Sequence, residues 1–225
     1  MQLILRHSKV LMESEFFSIL FFETLDYELL ITSIIFLRLY LVTGGGVIIG
    51  TELDESTFMP KNGNWFSLDD PEWKELSRGP SQTDDGWVEA AYVIPKQLDG
   101  IQYYFLFVNF FSCCSGKQST YEIHVGRSSN PLGPYLNKDG VDFMSFDDST
   151  DLDSSRLLAT RWFMIGPGHM GHYSKWKDGQ DIMTFHYYDR RRQDGMSWIG
   201  ERELNWENGW PVAGSLLSSY EWSDL

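Results

Sequence analysis

The feature that most constrains the fold is an alternation between short apolar or aromatic runs and tight-turn dipeptides. The runs are Leu37–Val42, Val47–Leu53, Val88–Ile94, Tyr103–Phe111, Tyr121–Gly126, Trp162–Ile165, Asp181–Tyr188 and Ser197–Trp206. The turns between them include Asn62-Gly63, Asp99-Gly100, Asp139-Gly140, Asp178-Gly179 and Asp194-Gly195. Asn-Gly and Asp-Gly favour the left-handed backbone of β-hairpins. The pattern therefore predicts an all-β body of antiparallel strands, as in a sandwich, barrel or propeller.

Two of these runs are similar enough to suggest a repeat. Tyr103–Phe107 and Ile182–Tyr188 can be equivalent inner strands of repeated sheets, which favours the propeller among the all-β folds. The one helical candidate is the short segment Pro71–Arg78.

The composition limits the classes of ligand that the chain can bind. The chain of 225 residues has a net charge of −14, and it contains 15 Phe, 11 Tyr and 9 Trp. A field of that sign repels polyphosphates, so nucleic acid is excluded as a partner. An acidic surface rich in aromatic rings suits a neutral ligand such as a sugar.

The N-terminal segment, residues 1–38, differs from the body, residues 39–225. It is rich in Phe, Leu and Ile, but its apolar run Leu29–Val42 is interrupted by Arg38 and is shorter than the ~20 residues of a membrane span. Acidic residues interrupt the region and no cleavage site follows, so no signal peptide is visible. We expect residues 1–36 to pack irregularly or extend away. The alternatives are an apolar helix or a pair of strands lying on the body, or a stretch that does not belong to the fold.

The two cysteines are neighbours, Cys113 and Cys114. Their spacing is neither that of a disulfide framework nor that of a zinc site. Adjacent cysteines can form a strained ring, but composition alone favours two reduced, buried thiols. The cysteine usage therefore indicates neither an oxidising nor a reducing compartment.

Glu89 is the candidate general acid. It begins an apolar strand and is flanked by Trp87, Val88 and Tyr92. Such surroundings disfavour the charged form of a carboxyl group, which suits an acid catalyst. The alternative is an edge-strand glutamate that points to water.

His169 is the candidate metal ligand. It follows Gly166-Pro167-Gly168, which predicts a tight turn and a close backbone approach, and His172 and His186 lie nearby in sequence. Three histidines can ligate a metal, but their spacing is irregular, and structural histidines are the alternative. Gly44–Gly46 lacks the helix and lysine of a phosphate loop, and Ser119–Tyr121 requires nothing beyond turn formation.

An ordered series of motifs resembles glycoside hydrolase family 43, specifically the arabinan endo-1,5-α-L-arabinosidases. The series comprises Val88-Glu89-Ala90-Ala91-Tyr92, Tyr103–Val108, Ser112-Cys113-Cys114-Ser115-Gly116, Ser119–Ile123, Val125–Ser128, Gly133–Gly140, Ile165-Gly166-Pro167-Gly168-His169, His186–Asp189 and Trp206–Pro211. The order of these motifs is far more specific than any one of them.

The resemblance implies a five-bladed β-propeller that hydrolyses arabinan, or arabino-oligosaccharides, with inversion of configuration. Glu89 matches the family's general acid, although Ala91 replaces a proline of its motif. His169 matches a central histidine that helps to hold calcium through a largely hydrated shell. A monomeric, extracellular enzyme is implied, with no membrane partner.

The departures from the family are equally specific. Neither the His-Asp-Pro segment of the general base nor the Asn-Ala-Ile-Asp-Pro segment of the modulating aspartate occurs in the chain. Asp69-Asp70-Pro71 is a superficial match only. The matching part corresponds to about three blades, so we expect an N-terminally incomplete hydrolase. The alternatives are a non-catalytic carbohydrate-binding propeller remnant and a scaffold for protein partners.

Overall fold

The computed structural model describes residues 19–24, 37–61, 63, 71–80, 87–174, 179–193 and 195–221. These residues form three antiparallel sheets of four strands each, with three short 3₁₀ helices in the connections. The all-β prediction is confirmed.

Each sheet is a continuous stretch of chain. The first contains β1 (Ile19–Thr24), β2 (Leu37–Thr43), β3 (Val47–Leu53) and β4 (Lys74–Arg78). The second contains β5 (Val88–Leu98), β6 (Ile101–Phe110), β7 (Glu122–Ser128) and β8 (Arg156–Leu158). The third contains β9 (Met164–Ser174), β10 (Asp181–Asp189), β11 (Ser197–Glu207) and β12 (Trp210–Glu221).

The three sheets have the same topology, because the strands of each sheet follow one another in chain order. Each strand pairs with the next strand along the chain. The two runs singled out as a repeat are β6 and β10, and each is the second strand of its sheet. Their equivalence follows from this shared position.

The predicted turn Asp99-Gly100 has the expected hairpin geometry, as does Asn208-Gly209, which was not among the predicted turns; Asn62, Asp178 and Asp194 lie outside the described residues. Asp99 and Gly100 join β5 to β6 with φ values of 50° and 78°, and Asn208 and Gly209 join β11 to β12 with φ values of 51° and 77°. Two successive residues of positive φ match the twist of the paired strands, and Asp, Asn and Gly tolerate that backbone.

Alternation along β6 places the second sheet between the other two. Leu106 and Phe110 belong to the core shared with the first sheet, whereas Phe105 and Phe107 belong to the core shared with the third. Because successive side chains of a strand point to opposite faces, one run of aromatic residues supplies both cores. A third apolar cluster, around Trp73, covers the other face of the first sheet.

Two local predictions are wrong. The segment expected to be helical, Pro71–Arg78, contains strand β4 instead, because residues 74–78 pair with β3 and bury Leu76 in the core. The glycines of Gly166-Pro167-Gly168 do not make a turn. They lie inside β9, whose pairing with β10 shifts register around His186 and absorbs the irregular backbone.

The N-terminal segment is partly in the fold. Residues 19–24 form β1 and pair antiparallel with β2, so the expectation of irregular packing is wrong for them and the alternative of strands on the body is correct there. The ladder of β2 explains this, since its outer edge offers unpaired backbone groups to another strand. Residues 1–18 and 25–36 lie outside the described residues, and the division into residues 1–38 and 39–225 stays a prediction.

Within the described residues, no helix has the length and apolar character needed to cross a bilayer.

Candidate active site

Glu89 lies where the second sheet begins, opposite Asn109 of β6. The ladder shifts register between Glu89 and Tyr92, and Ala90 between them has a φ of 53°. A bulge of this kind re-aims the neighbouring side chain, and bulges are common beside active sites. The bulge therefore lies directly after Glu89, while Glu89 itself keeps its ladder position opposite Asn109.

Both carboxylate oxygens of Glu89 accept a hydrogen bond. The hydroxyl of Tyr121 donates to Oε1 at 2.6 Å, and the indole N–H of Trp87 donates to Oε2 at 3.1 Å. Tyr121 is 1% exposed and directly precedes β7, so the contact joins the beginning of β5 to the beginning of β7. The glutamate is held in place and does not simply point to water.

Asn109 ties the second sheet to His169 in the third. Its Oδ1 accepts from the backbone N–H of His169 at 2.9 Å, and its Nδ2 donates to the carbonyl of Glu122 at 3.0 Å. His169 has a φ of 54°, a left-handed backbone that is unusual for a residue with a side chain. The buried amide stabilises that conformation and brings His169 into the same cluster as Glu89.

Gly168 is required by this close approach. A Cβ at this position would lie 2.1 Å from Cδ1 of Tyr121 and 2.8 Å from Nδ2 of Asn109. Any larger residue would push Tyr121 from its place beside Glu89. The close backbone contact predicted for the Gly-Pro-Gly segment is therefore present.

The three neighbouring histidines separate into two groups. His186 stacks on Tyr121 with ring centroids 5.9 Å apart, and His169 lies 6.4 Å from His186. His172 instead contacts Asp181 through Nε2 at 3.0 Å. Glu89, Tyr121, His169 and His186 therefore form one cluster, which we call the central cluster, and His172 lies outside it.

Asp181, the partner of His172, accepts several other hydrogen bonds. It also accepts from Lys96 at 2.6 Å, from Ser174 at 2.6 Å and from the indole N–H of Trp206 at 2.7 Å. Burial raises the pKa of this carboxyl group, but the four hydrogen bonds outweigh burial and lower its pKa well below the ordinary value. Asp181 is an ionised structural anchor between the second and third sheets.

Burial sets the protonation states of the central cluster. It lowers the pKa of His169, partly offset by the negative charge of Glu89, and together with His169 it lowers the pKa of His186 to about 4. Burial also raises the pKa of Tyr121 far above its ordinary value, and Glu89 adds to that effect. At neutral pH both imidazoles are neutral and Tyr121 keeps its proton for Glu89.

Acidification should destabilise the fold through its buried histidines. The pKa of His186 is lowered from 6.5 to about 4, and burial likewise lowers the pKa of His124, which lies between Ser155 and Glu122. Between about pH 6.5 and 4 the unfolded chain binds more protons than the native protein. Stability is therefore present above this window and is lost as the pH falls, by up to ~1.4 kcal/mol per pH unit for each histidine.

Urea unfolding at pH 7, 6 and 5 measures this loss. We expect His186→Gln to show a shallower decline of the free energy of unfolding than the parent chain. Equal slopes for the two proteins would contradict the assignment to His186.

The cysteines differ from the expectation of two buried thiols. Cys113 and Cys114 are joined in a disulfide, with Cys114 exposed and Cys113 half-buried. Both cysteines lie in the loop after β6, where Cys114 has a φ of 66°. The loop is closed by a backbone hydrogen bond from Thr120 to Ser112 at 3.0 Å.

The central cluster offers few ligands to a metal ion. Across the described ranges, no group of three or more His, Cys, Asp or Glu side chains can hold one. Calcium takes six to eight oxygen ligands, whereas the cluster offers two imidazoles and the oxygens of Glu89 and Tyr121, which bond to each other. Of the imidazoles, His186 keeps a buried Nδ1 without a hydrogen-bond partner. These residues fit only an ion that keeps most of its water.

Curated relatives are arabinan-degrading enzymes. The chain is 33% identical over 166 residues to an extracellular endo-α-(1→5)-L-arabinanase of Bacillus subtilis, covering 72% of this chain and 42% of the relative. It is 30% identical over 178 residues to an extracellular exo-α-(1→5)-L-arabinofuranosidase of Cellvibrio japonicus, covering 78% and 47%. The chain thus spans about half the length of these relatives. No family model matches it.

Solved structures agree with these relatives. A family 43 endo-arabinanase from Bacillus licheniformis superposes with a TM-score of 0.56 at 30% identity, covering 78% of this chain and 52% of that one. The Cellvibrio cellulosa α-L-arabinanase complexed with arabinohexaose gives a TM-score of 0.61 at 25% identity, covering 78% and 53%. The class defined by these matches is that of the glycoside hydrolases. Within it, the chain is an arabinanase-like protein of family 43.

Several residues of the site were not singled out by their sequence pattern. Tyr121 was expected only to form a turn, and Asn109 carries no motif of its own. The one sequence signal for Tyr121 was its place in the series Ser119-Thr120-Tyr121. Its role could not be predicted from that, because its partner Glu89 is 32 residues away. Asp69 and Asp70 lie outside the described residues.

Proposed function

We propose that the chain is the part of an inverting endo-1,5-α-L-arabinanase that carries the general acid. The observation that supports this most directly is Glu89, whose two oxygens are held by Tyr121 and Trp87 beside His169. Arabinan or an arabino-oligosaccharide is the proposed substrate. A binding remnant without catalysis is not favoured, because the matched relatives are named as hydrolases.

Glu89 would protonate the glycosidic oxygen of the leaving sugar. Tyr121 would hold Oε1 in place, and the neutral imidazoles of His169 and His186 would keep the surroundings of the acid uncharged. Inversion also needs a carboxylate about 6.5–9.5 Å from the acid that activates water on the opposite face of the sugar. The segment that carries this base in the family does not occur in the sequence, so we assign no residue to that role.

We further propose that the three sheets are three blades of a five-bladed propeller. Their sequential strand order and their face-to-face cores support this, as does the likeness to arabinanases of about twice the matched length. We also propose that the protein acts outside the cell, since both relatives are named extracellular enzymes. A monomer without a nucleic acid or membrane partner is part of the same proposal.

His169 is the proposed calcium ligand, with water filling the rest of the shell. An ion there would add positive charge near Glu89. If this is correct, calcium should raise the melting temperature of the folded chain, and His169→Gln should remove the rise. A melting temperature that does not respond to calcium would contradict the proposal.

The 225-residue chain alone is expected to hydrolyse linear arabinan poorly or not at all. The acid is present, but a positioned general base contributes about 10²–10⁴ in rate, and the segments that carry it in the family do not occur in this sequence. Chromatography of released arabino-oligosaccharides checks this. Robust turnover that Glu89→Gln abolishes would show that another carboxylate of this chain serves as base.

A further inference from the structure

Trp87 is fixed beside the proposed acid by its main chain and its side chain. Its carbonyl accepts from the N–H of Phe111 at 3.0 Å, which ties it to the end of β6. Its indole N–H donates to Oε2 of Glu89 at 3.1 Å. The ring therefore has a defined orientation relative to the carboxyl group.

The glycines between β2 and β3 form a seat for this ring. A Cβ on Gly45 would lie 3.2 Å from Cζ2 of Trp87, and a Cβ on Gly46 would lie 3.2 Å from Cζ3. The N–H of Gly46 donates to the carbonyl of Val88 at 2.8 Å, which fixes the hairpin against β5. Gly44–Gly46 do not form a phosphate loop, but they have another physical role. Because Gly45 and Gly46 have no side chains, the six-membered ring of Trp87 can lie against them.

The rest of the ring is open. Trp87 is 49% exposed, although it is held on one side by the glycines and at its N–H by Glu89. A rigid, partly exposed indole loses little conformational entropy when a ligand packs on it, and it combines apolar area with a polar edge. The net charge of −14 favours a neutral ligand over an anion.

We propose that Trp87 forms a binding subsite for one arabinofuranosyl unit, next to the glycosidic bond that Glu89 protonates. The sugar packs its C–H face on the open side of the indole. This inference rests on the proposed function and adds a residue that positions the substrate through direct contact.

Calorimetric titration of the folded chain with arabinohexaose tests the subsite. Trp87→Ala should weaken binding by about tenfold or more, and Trp87→Phe, which keeps an aromatic face, should weaken it less. Gly45→Val should weaken binding with the indole intact, because its side chain would lift the ring, and Gly45 does not need a left-handed backbone. Melting temperatures establish that each variant is folded.

Phe58→Ala is the matched control. Phe58 is 55% exposed, but it lies beyond the end of β3 that is remote from Gly45 and Gly46. Its loss should leave arabinohexaose binding unchanged. Equal affinity for the parent chain, Trp87→Ala and Gly45→Val would overturn the subsite while leaving the proposed function standing. Absence of arabinohexaose binding by the parent chain would overturn the subsite. Hydrolysis by a protein that joins this chain to the unmatched part of the Bacillus subtilis arabinanase then tests the function separately.

Discussion

Glu89→Gln is expected to lower arabinan hydrolysis by about 10²–10⁴ in a protein that joins this chain to the part of the Bacillus subtilis arabinanase that it does not match. Glutamine keeps the oxygen that accepts from Tyr121 but cannot deliver a proton to the leaving sugar. The stated loss is the usual contribution of a positioned acid or base. Initial rates of reducing-sugar release from linear arabinan measure it.

Glu207→Gln provides the control for this experiment. Glu207 is an exposed glutamate at the end of β11, remote from the central cluster in the fold, and its replacement should leave the rate unchanged. An inactive parent fusion that is folded would contradict the proposed function. Equal rates for the parent fusion and Glu89→Gln would contradict the role of Glu89 as acid.

Phe105→Ala is expected to lower the free energy of unfolding by about 3–5 kcal/mol, the usual cost of removing a buried phenylalanine. Phe105 is fully buried in the core between the second and third sheets. Its ring meets Trp206 edge-on with centroids 4.8 Å apart, and Trp210 at 6.1 Å. The cavity would lie where the two sheets join.

Urea denaturation measures this loss, with Ile101→Ala as the control. Ile101 lies on the same strand but is 50% exposed, so its truncation should change stability by no more than about 0.5 kcal/mol. A loss of less than 1 kcal/mol for Phe105→Ala would mean that the two sheets do not depend on this contact.

The sequence predicted strands such as β5 and β6 better than it predicted β4 and β9. Runs such as Tyr103–Phe111 carry both the propensity and the alternation of a strand, and Asp99-Gly100 carries the backbone of its turn. Lys74–Arg78 has neither signal, and it becomes a strand because β3 offers an edge and the core takes up Leu76. Pairing with a neighbour overrides weak local preference.

The candidate site was predicted in part. Glu89 and His169 were proposed from the family resemblance, and the structure brings them together although they are 80 residues apart in sequence. The histidines near His169 were not distinguishable by spacing, yet His186 joins the central cluster and His172 contacts Asp181. Which partner a side chain meets depends on sheet register, and a register shift changes the direction of every side chain that follows.

The sequence by itself determined the all-β class and the hairpin at Asp99-Gly100, whereas Glu89 and His169 were proposed through the family resemblance. The class and the hairpin are local properties, because alternation and turn chemistry depend on residues a few positions apart. Only the tertiary structure decided that Tyr121 and Trp87 hold Glu89, that Asn109 supports His169, and that the glycines before β3 seat an indole. Most of these contacts join strands of different hairpins or sheets, and their geometry is set by packing between elements that are far apart in sequence.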